Sequence, residues 1–163
     1  MLKVGKYILG RVDIQGGAFR YGSRIYMAQV FEEEGLTEWQ RLAKIYTEIY
    51  GYSPKWLSRR KRLRRFKELA DGLLFWVKAE EQELHRTPTA EELMAGVEEI
   101  SKARGPMATI KALGKDFGQD PDTILLWPYS KVFGILRDDL KEAEMQEKIH
   151  KAYMSKSKTN GRH

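Results

Sequence analysis

The chain has 163 residues, of which 42% are hydrophobic and 11% aromatic, with a net charge of +6 and no cysteine. That supply of apolar side chains excludes global disorder and suits one domain or two small ones, while no apolar run approaches the roughly 20 residues that span a bilayer. The missing thiols exclude disulfides and thiolate metal sites and point to a reducing, cytoplasmic compartment, and Met1 to Lys6 carries no signal-peptide core.

Along residues 2–14, Val4, Ile8, Val12 and Ile14 share one parity, and Gly16 and Gly17 follow. The pattern predicts a short N-terminal β-strand or hairpin. Ser23 is placed to cap a helix to about Glu34, with Gly35 as its stop and Ile25, Met27, Ala28 and Phe31 on its apolar face. Thr37 caps the next helix and Gly51 ends it. Between them Trp39, Leu42, Ala43, Ile45, Tyr46 and Ile49 recur at helical spacing.

Beyond Ser53 and Pro54 a long helix is predicted from about Lys55 to His85, with Leu63, Phe66, Leu69, Ala70, Leu73, Leu74 and Val77 as its inward stripe. Thr89 and Glu92 have capping-box spacing for a helix carrying Leu93, Val97 and Ile100, which Arg104, Gly105 and Pro106 stop. Met107 to Phe117 reads as another helix, with Ile110, Leu113 and Phe117 inward and Gly118 as its end. Asp120 and Pro121 open a short helix through Leu126. Pro128 ends it, and Ser130 caps a last helix to about Tyr153 that carries Val132, Phe133, Leu136, Leu140 and Ile149. Residues 155–163 are polar and aperiodic, and are expected to be a disordered tail. The expected fold is therefore mainly α, a compact multi-helix array with a short N-terminal strand or hairpin. Its expected division is 1–86 with the basic helix, 87–154 as a helical subdomain, and the tail.

Residue types that carry catalysis are sparse. The histidines are His85, His150 and His163, the first two on predicted polar helix faces and the third at the end of the chain. No HExxH, GxxxxGK[ST] or GxGxxG pattern is present, and the paired acids Glu91–Glu92 and Glu98–Glu99 fall on solvated faces. No catalytic residue, metal site or cofactor is expected, and no enzymatic activity.

One feature does carry chemistry. Lys55, Arg59, Arg60, Lys61, Arg62, Arg64, Arg65 and Lys67 include no acid among them, so the rest of a chain at +6 sums to −2. The expected partner- or anion-binding residues are Arg59, Arg60, Lys61, Arg62, Arg64, Arg65 and Lys67. On a helix, Arg60, Lys61, Arg64 and Lys67 share a solvent arc opposite Leu63 and Phe66. Arginine there suits bidentate contact with phosphate or carboxylate, so nucleic acid and an acidic protein helix are both open. The competing reading is a solvated face paired with Glu32, Glu33 and Glu34. Residues 110–126 also have the outline of a helix-turn-helix, but the second helix is short and carries Asp120 and Asp122, which repel phosphate. Trp127, Pro128 and Tyr129 form an aromatic corner that serves either as a protein-binding feature or as core.

The stretch Leu113 to Phe133 resembles the C-terminal part of tailed-phage and prophage tail-assembly chaperones. The resemblance rests on the helix start Asp120, Pro121, Asp122 and Ile124, the corner Trp127 and Tyr129, and the long last helix from Val132 onward. It covers about the last third of the chain, residues 106–154. It implies a small helical cytosolic protein of the bacterial host that binds the tape-measure and tail-tube proteins during assembly and performs no reaction. The first half of the chain carries no part of it.

Overall fold

A computed structural model describes residues 12–84, 94 and 97–160. Among these, six α-helices and one 3-10 turn make up the fold: α1 (Tyr21–Glu32), α2 (Glu38–Tyr50), the turn Pro54–Trp56, α3 (Arg59–Glu83), α4 (Val97–Phe117), α5 (Pro121–Leu125) and α6 (Tyr129–Asn160).

The mainly helical class is as expected, but the N-terminal strand is not supported. Among the described residues there is no strand, only an isolated antiparallel bridge between Arg20 and Pro128. Residues 2–11 of the expected strand lie outside the described part. Ile14 to Gly17 form a turn, in which the Gly17 amide donates to the Ile14 carbonyl at 3.1 Å and the Gly16 amide to Asp13 Oδ1 at 2.8 Å. Ile14 is held by burial instead of by a ladder. Its carbonyl accepts from Trp76 Nε1 at 2.7 Å, and it lies so close over Gly72 that a Cβ there would sit 2.4 Å from Ile14 Cγ2.

The caps divide into two kinds. Thr37 and Gln40 close a capping box on α2, and Gly51 ends that helix at φ 73°. Asp120 caps α5 through the Thr123 amide, with Pro121 in the first turn. The expected caps Ser23 and Ser130 are not used. α1 starts two residues before Ser23, at Tyr21, whose amide donates to the Trp127 carbonyl at 2.9 Å. At α6, the Tyr129 and Ser130 amides donate to the carbonyls of Phe19 at 2.8 Å and Gly17 at 3.2 Å. Each helix start thus has its leading amide satisfied by the backbone that leads into the other. Ser23 is buried within α1 and donates from Oγ to Glu48 Oε1 at 3.1 Å.

The long helix begins at Arg59 and not at Lys55, because Ser53 and Pro54 nucleate the separate 3-10 turn first. Gly105, at φ 55° and ψ −166°, breaks α4 where a stop was expected, and the backbone resumes helix at Pro106. The expected capping box at Thr89 and Glu92 lies outside the described residues. α6 continues to Asn160, past its expected end at Tyr153, so most of the expected tail is helical.

One buried cluster takes residues from both of the expected segments: Phe19, Met27, Val30, Ile45, Tyr46, Phe66, Leu69 and Trp76 from the first, Ile110, Leu113, Ile124, Tyr129, Val132 and Phe133 from the second. Its centre is aromatic. Trp76 meets Tyr129 and Phe133 edge-on at 4.9 and 5.2 Å, and Phe19 stacks on Tyr129 at 5.3 Å.

Candidate partner-binding site

The basic run is built from its approach. Pro54 is buried and anchors the 3-10 turn, while Trp56, two residues later, is 89% exposed. Ser58 precedes the first turn of α3 without a side-chain cap, and that turn contains no acid. From Phe66 onward, Leu69, Gly72, Leu73 and Trp76 form the buried face of α3. Arg60, Arg64 and Lys67 lie opposite that face and are exposed, with Arg59 and Lys61 exposed beside them. Arg62 and Arg65 fall on the side of the buried face and are half-buried.

Glu68, on the same helix, lies 3.2 Å from Arg65 and 3.9 Å from Arg64. Glu33, one of the acids considered as a counter-charge, is instead 2.6 Å from Lys44. Among the described residues no acid lies within ion-pair distance of Arg59, Arg60, Lys61, Arg62 or Lys67. The other end of α3 is treated differently. Glu80 receives Arg24 Nε at 2.8 Å and Nη2 at 2.5 Å as well as the Tyr129 hydroxyl, and Glu83 lies 3.5 Å from Arg137. Glu80 and Glu83 at the C-terminal end are thus matched by cations of other helices, whereas at the N-terminal end only Arg64 and Arg65 have an acid in reach, on their own helix. Both charges oppose the helix dipole, and the larger unpaired charge is at the cationic end.

The aromatic corner divides. Tyr129 is core: it is buried, and burial together with its bond to Glu80 pushes its hydroxyl above the ordinary phenol range. The Glu80 hydrogen bond likewise raises the Arg24 guanidinium above its usual value. Pro128 is exposed. Trp127 is half-buried, edge-on to Phe117 at 5.3 Å, with the Lys131 ammonium 3.3 Å over its ring. The two sides of Trp127 are therefore occupied from within the chain. The helix-turn-helix outline fails on length, since α5 has five residues and its most apolar one, Ile124, is fully buried.

No family model, no curated protein and no solved structure matches this chain. Among the described residues no group of three or more histidines and acids is placed to hold a metal ion, and no helix is long and apolar enough to cross a membrane.

A second surface was missed by the periodicity. Leu63, Leu74 and Val77, assigned to the inward stripe of the long helix, are exposed. They form a second apolar edge with Ala70, about 20–80° of rotation beyond Phe66 at the margin of the buried face. Beside that edge a cleft of about 260 Å³ runs between α1 and α3, lined by Met27, Ala28 and Phe31 on one wall and Leu73, Trp76 and Val77 on the other, with Arg24 and Glu32 at its margins. The signal in the sequence was an excess: α3 carries more apolar positions than a single buried face can take.

Proposed function

We propose that this chain is a non-enzymatic assembly factor that uses the arginine-rich end of α3 to hold an acidic helical segment of a partner protein. The resemblance of the last third makes tail morphogenesis in a phage or prophage, with the tape-measure and tail-tube proteins as partners in the host cytoplasm, the setting we propose. One observation carries the reading. Arg59, Arg60, Lys61 and Lys67 stand exposed without a described counter-ion, while Glu80 and Glu83 at the opposite end of the same helix are paired with Arg24 and Arg137. Repulsion within such a cluster is relieved by an anionic partner, and guanidinium groups suit carboxylates.

Titration of the full chain with a recombinant acidic helical fragment of a phage tape-measure protein tests this. The expected result is an affinity that weakens with salt and is lost in the triple variant Arg60→Glu, Arg64→Glu, Lys67→Glu. A triple variant that binds as well as the parent overturns the reading.

A second reading is favoured by Trp56. An aromatic ring 89% exposed beside an arginine arc is the pairing that stacks bases while tracking phosphates. If it holds, single-stranded DNA or RNA binds with a steep salt dependence, Trp56→Ala weakens binding, and the tape-measure fragment does not compete.

A further inference from the structure

The α1–α3 cleft and the far end of α6 are two apolar surfaces that one chain presents and cannot bring together. α6 packs on α3 through Phe133 on Trp76 and through Arg137 beside Glu83, the last residue of α3. At 1.5 Å per residue, Met145 and Tyr153 then lie about 12 and 24 Å further along, beyond the end of α3 and directed away from the cleft. Over this stretch Met145, Ile149 and Tyr153 are exposed, at i, i+4 and i+8 on one side. That side is opposite the one on which Val132, Phe133 and Leu136 meet the body.

Stripe and cleft match in length and in charge. From Arg24 to Glu32 the cleft wall rises about 12 Å, and from Met145 to Tyr153 the stripe also rises about 12 Å. Phe31 at the cleft is 49% exposed, and Leu74 and Val77 widen it into a face that a helix of this length covers. Glu32 lies at the cleft margin, with Glu34 just beyond it, both exposed and with no described cation within ion-pair distance. Glu142 lies beside the start of the stripe, but beyond Glu147 the charges of the helix are all cationic, Lys148 without a described counter-ion and Lys151 paired back to Glu147.

We infer that the occupant of the cleft is a second copy of this chain, each copy laying the Met145–Tyr153 end of its α6 into the α1–α3 cleft of the other. Reciprocal exchange uses two identical contacts and closes as a two-fold dimer, so both stripes and both clefts are covered and no open chain of copies grows. This site is separate from the arginine arc.

Light scattering across a concentration series, coupled to gel filtration of the full chain, reads the assembly. The parent is expected to pass from monomer to dimer. The stripe variant Ile149→Glu, Tyr153→Glu and the cleft variant Phe31→Glu, Val77→Glu are each expected to stay monomeric, with helical circular dichroism and cooperative melting like the parent's. Mixing the two is decisive. A stripe-defective copy keeps its cleft and a cleft-defective copy keeps its stripe, so one contact survives and a weaker heterodimer appears. Lys148→Glu is expected to weaken the parent dimer and Glu32→Lys in the same chain to restore part of it. Three results overturn the proposal: a parent that stays monomeric, a cleft variant that dimerises like the parent (which would mean stripe-on-stripe pairing), or a mixture with no heterodimer. Should a designed charge pair unfold the chain, Tyr153→Ser and Phe31→Ser replace it in the same scheme.

Discussion

Arg24 and Glu80 keep only about a fifth of their side chains in contact with solvent, at 23% and 22%, and Tyr129 closes the pair from the third side. Removing one partner leaves a mostly buried charge. Glu80→Leu is expected to destabilise the fold by about 2 kcal/mol, less than for a fully buried pair because of the residual exposure. The double variant Arg24→Met, Glu80→Leu should recover much of that loss, and urea melts of the four members of the cycle measure it. A stricter case is Gly17, at φ 65°, where a Cβ would lie 2.6 Å from Trp76 Cζ2 and 2.8 Å from Ser130 Cβ. Gly17→Ala is expected to cost about 2–4 kcal/mol through strain and overpacking, read as a lower denaturation midpoint. None of these roles was legible in the sequence. Arg24 and Glu80 are types that normally face water on helices, and the 56 positions between them hide the pairing. Gly17 was read as a turn, which is right, but the side chains that crowd it come from α3 and α6.

At the level of elements, local chemistry was legible wherever the element supplied its own signal. Thr37, Gly51, Asp120, Pro121 and the break at Gly105 all act where their residue types placed them. Thr37→Ala is expected to cost about 1 kcal/mol in thermal or urea melts. Signals failed where the partner is distant. α1 and α6 borrow backbone carbonyls from each other's approaches, so Ser23 and Ser130 marked caps that the fold does not use. On α3 the helical period was sound but could not choose between two adjacent apolar edges, and Leu63, Leu74 and Val77 went to the wrong one. The arginine arc was the part of the candidate site that residue types did reveal, while Trp56 beside it was not singled out. α3 also separates binding from stability. Replacing Arg59 and Arg60 by glutamate puts acids in a first turn that has none and should raise stability by a few tenths of a kcal/mol per site, while binding to the partner falls. Paired melts and titrations check both signs in one variant.

Considered whole, the molecule turns three of its tyrosine hydroxyls inward, and this gives it an alkaline limit. Tyr21, Tyr46 and Tyr129 all have hydroxyls raised above the ordinary 10.0, in each case chiefly by burial. The folded state therefore holds these protons more tightly than the unfolded state. Their contribution is complete below that ordinary value and is lost as pH rises through the higher folded values. Unfolding free energy is expected to decline from about pH 10 upward, and Tyr129→Phe should make the decline shallower. The last consequence concerns synthesis. Gly17, Phe19 and Tyr21 bond to Trp127, Tyr129 and Ser130 across more than 100 residues of chain. On the ribosome, α1 to α3 emerge long before the strip that completes them, and Trp76 waits with two of its aromatic neighbours still untranslated. The nascent chain must therefore carry an unfinished aromatic centre until roughly four-fifths of it has been made, a delay in which a holding chaperone has its opportunity.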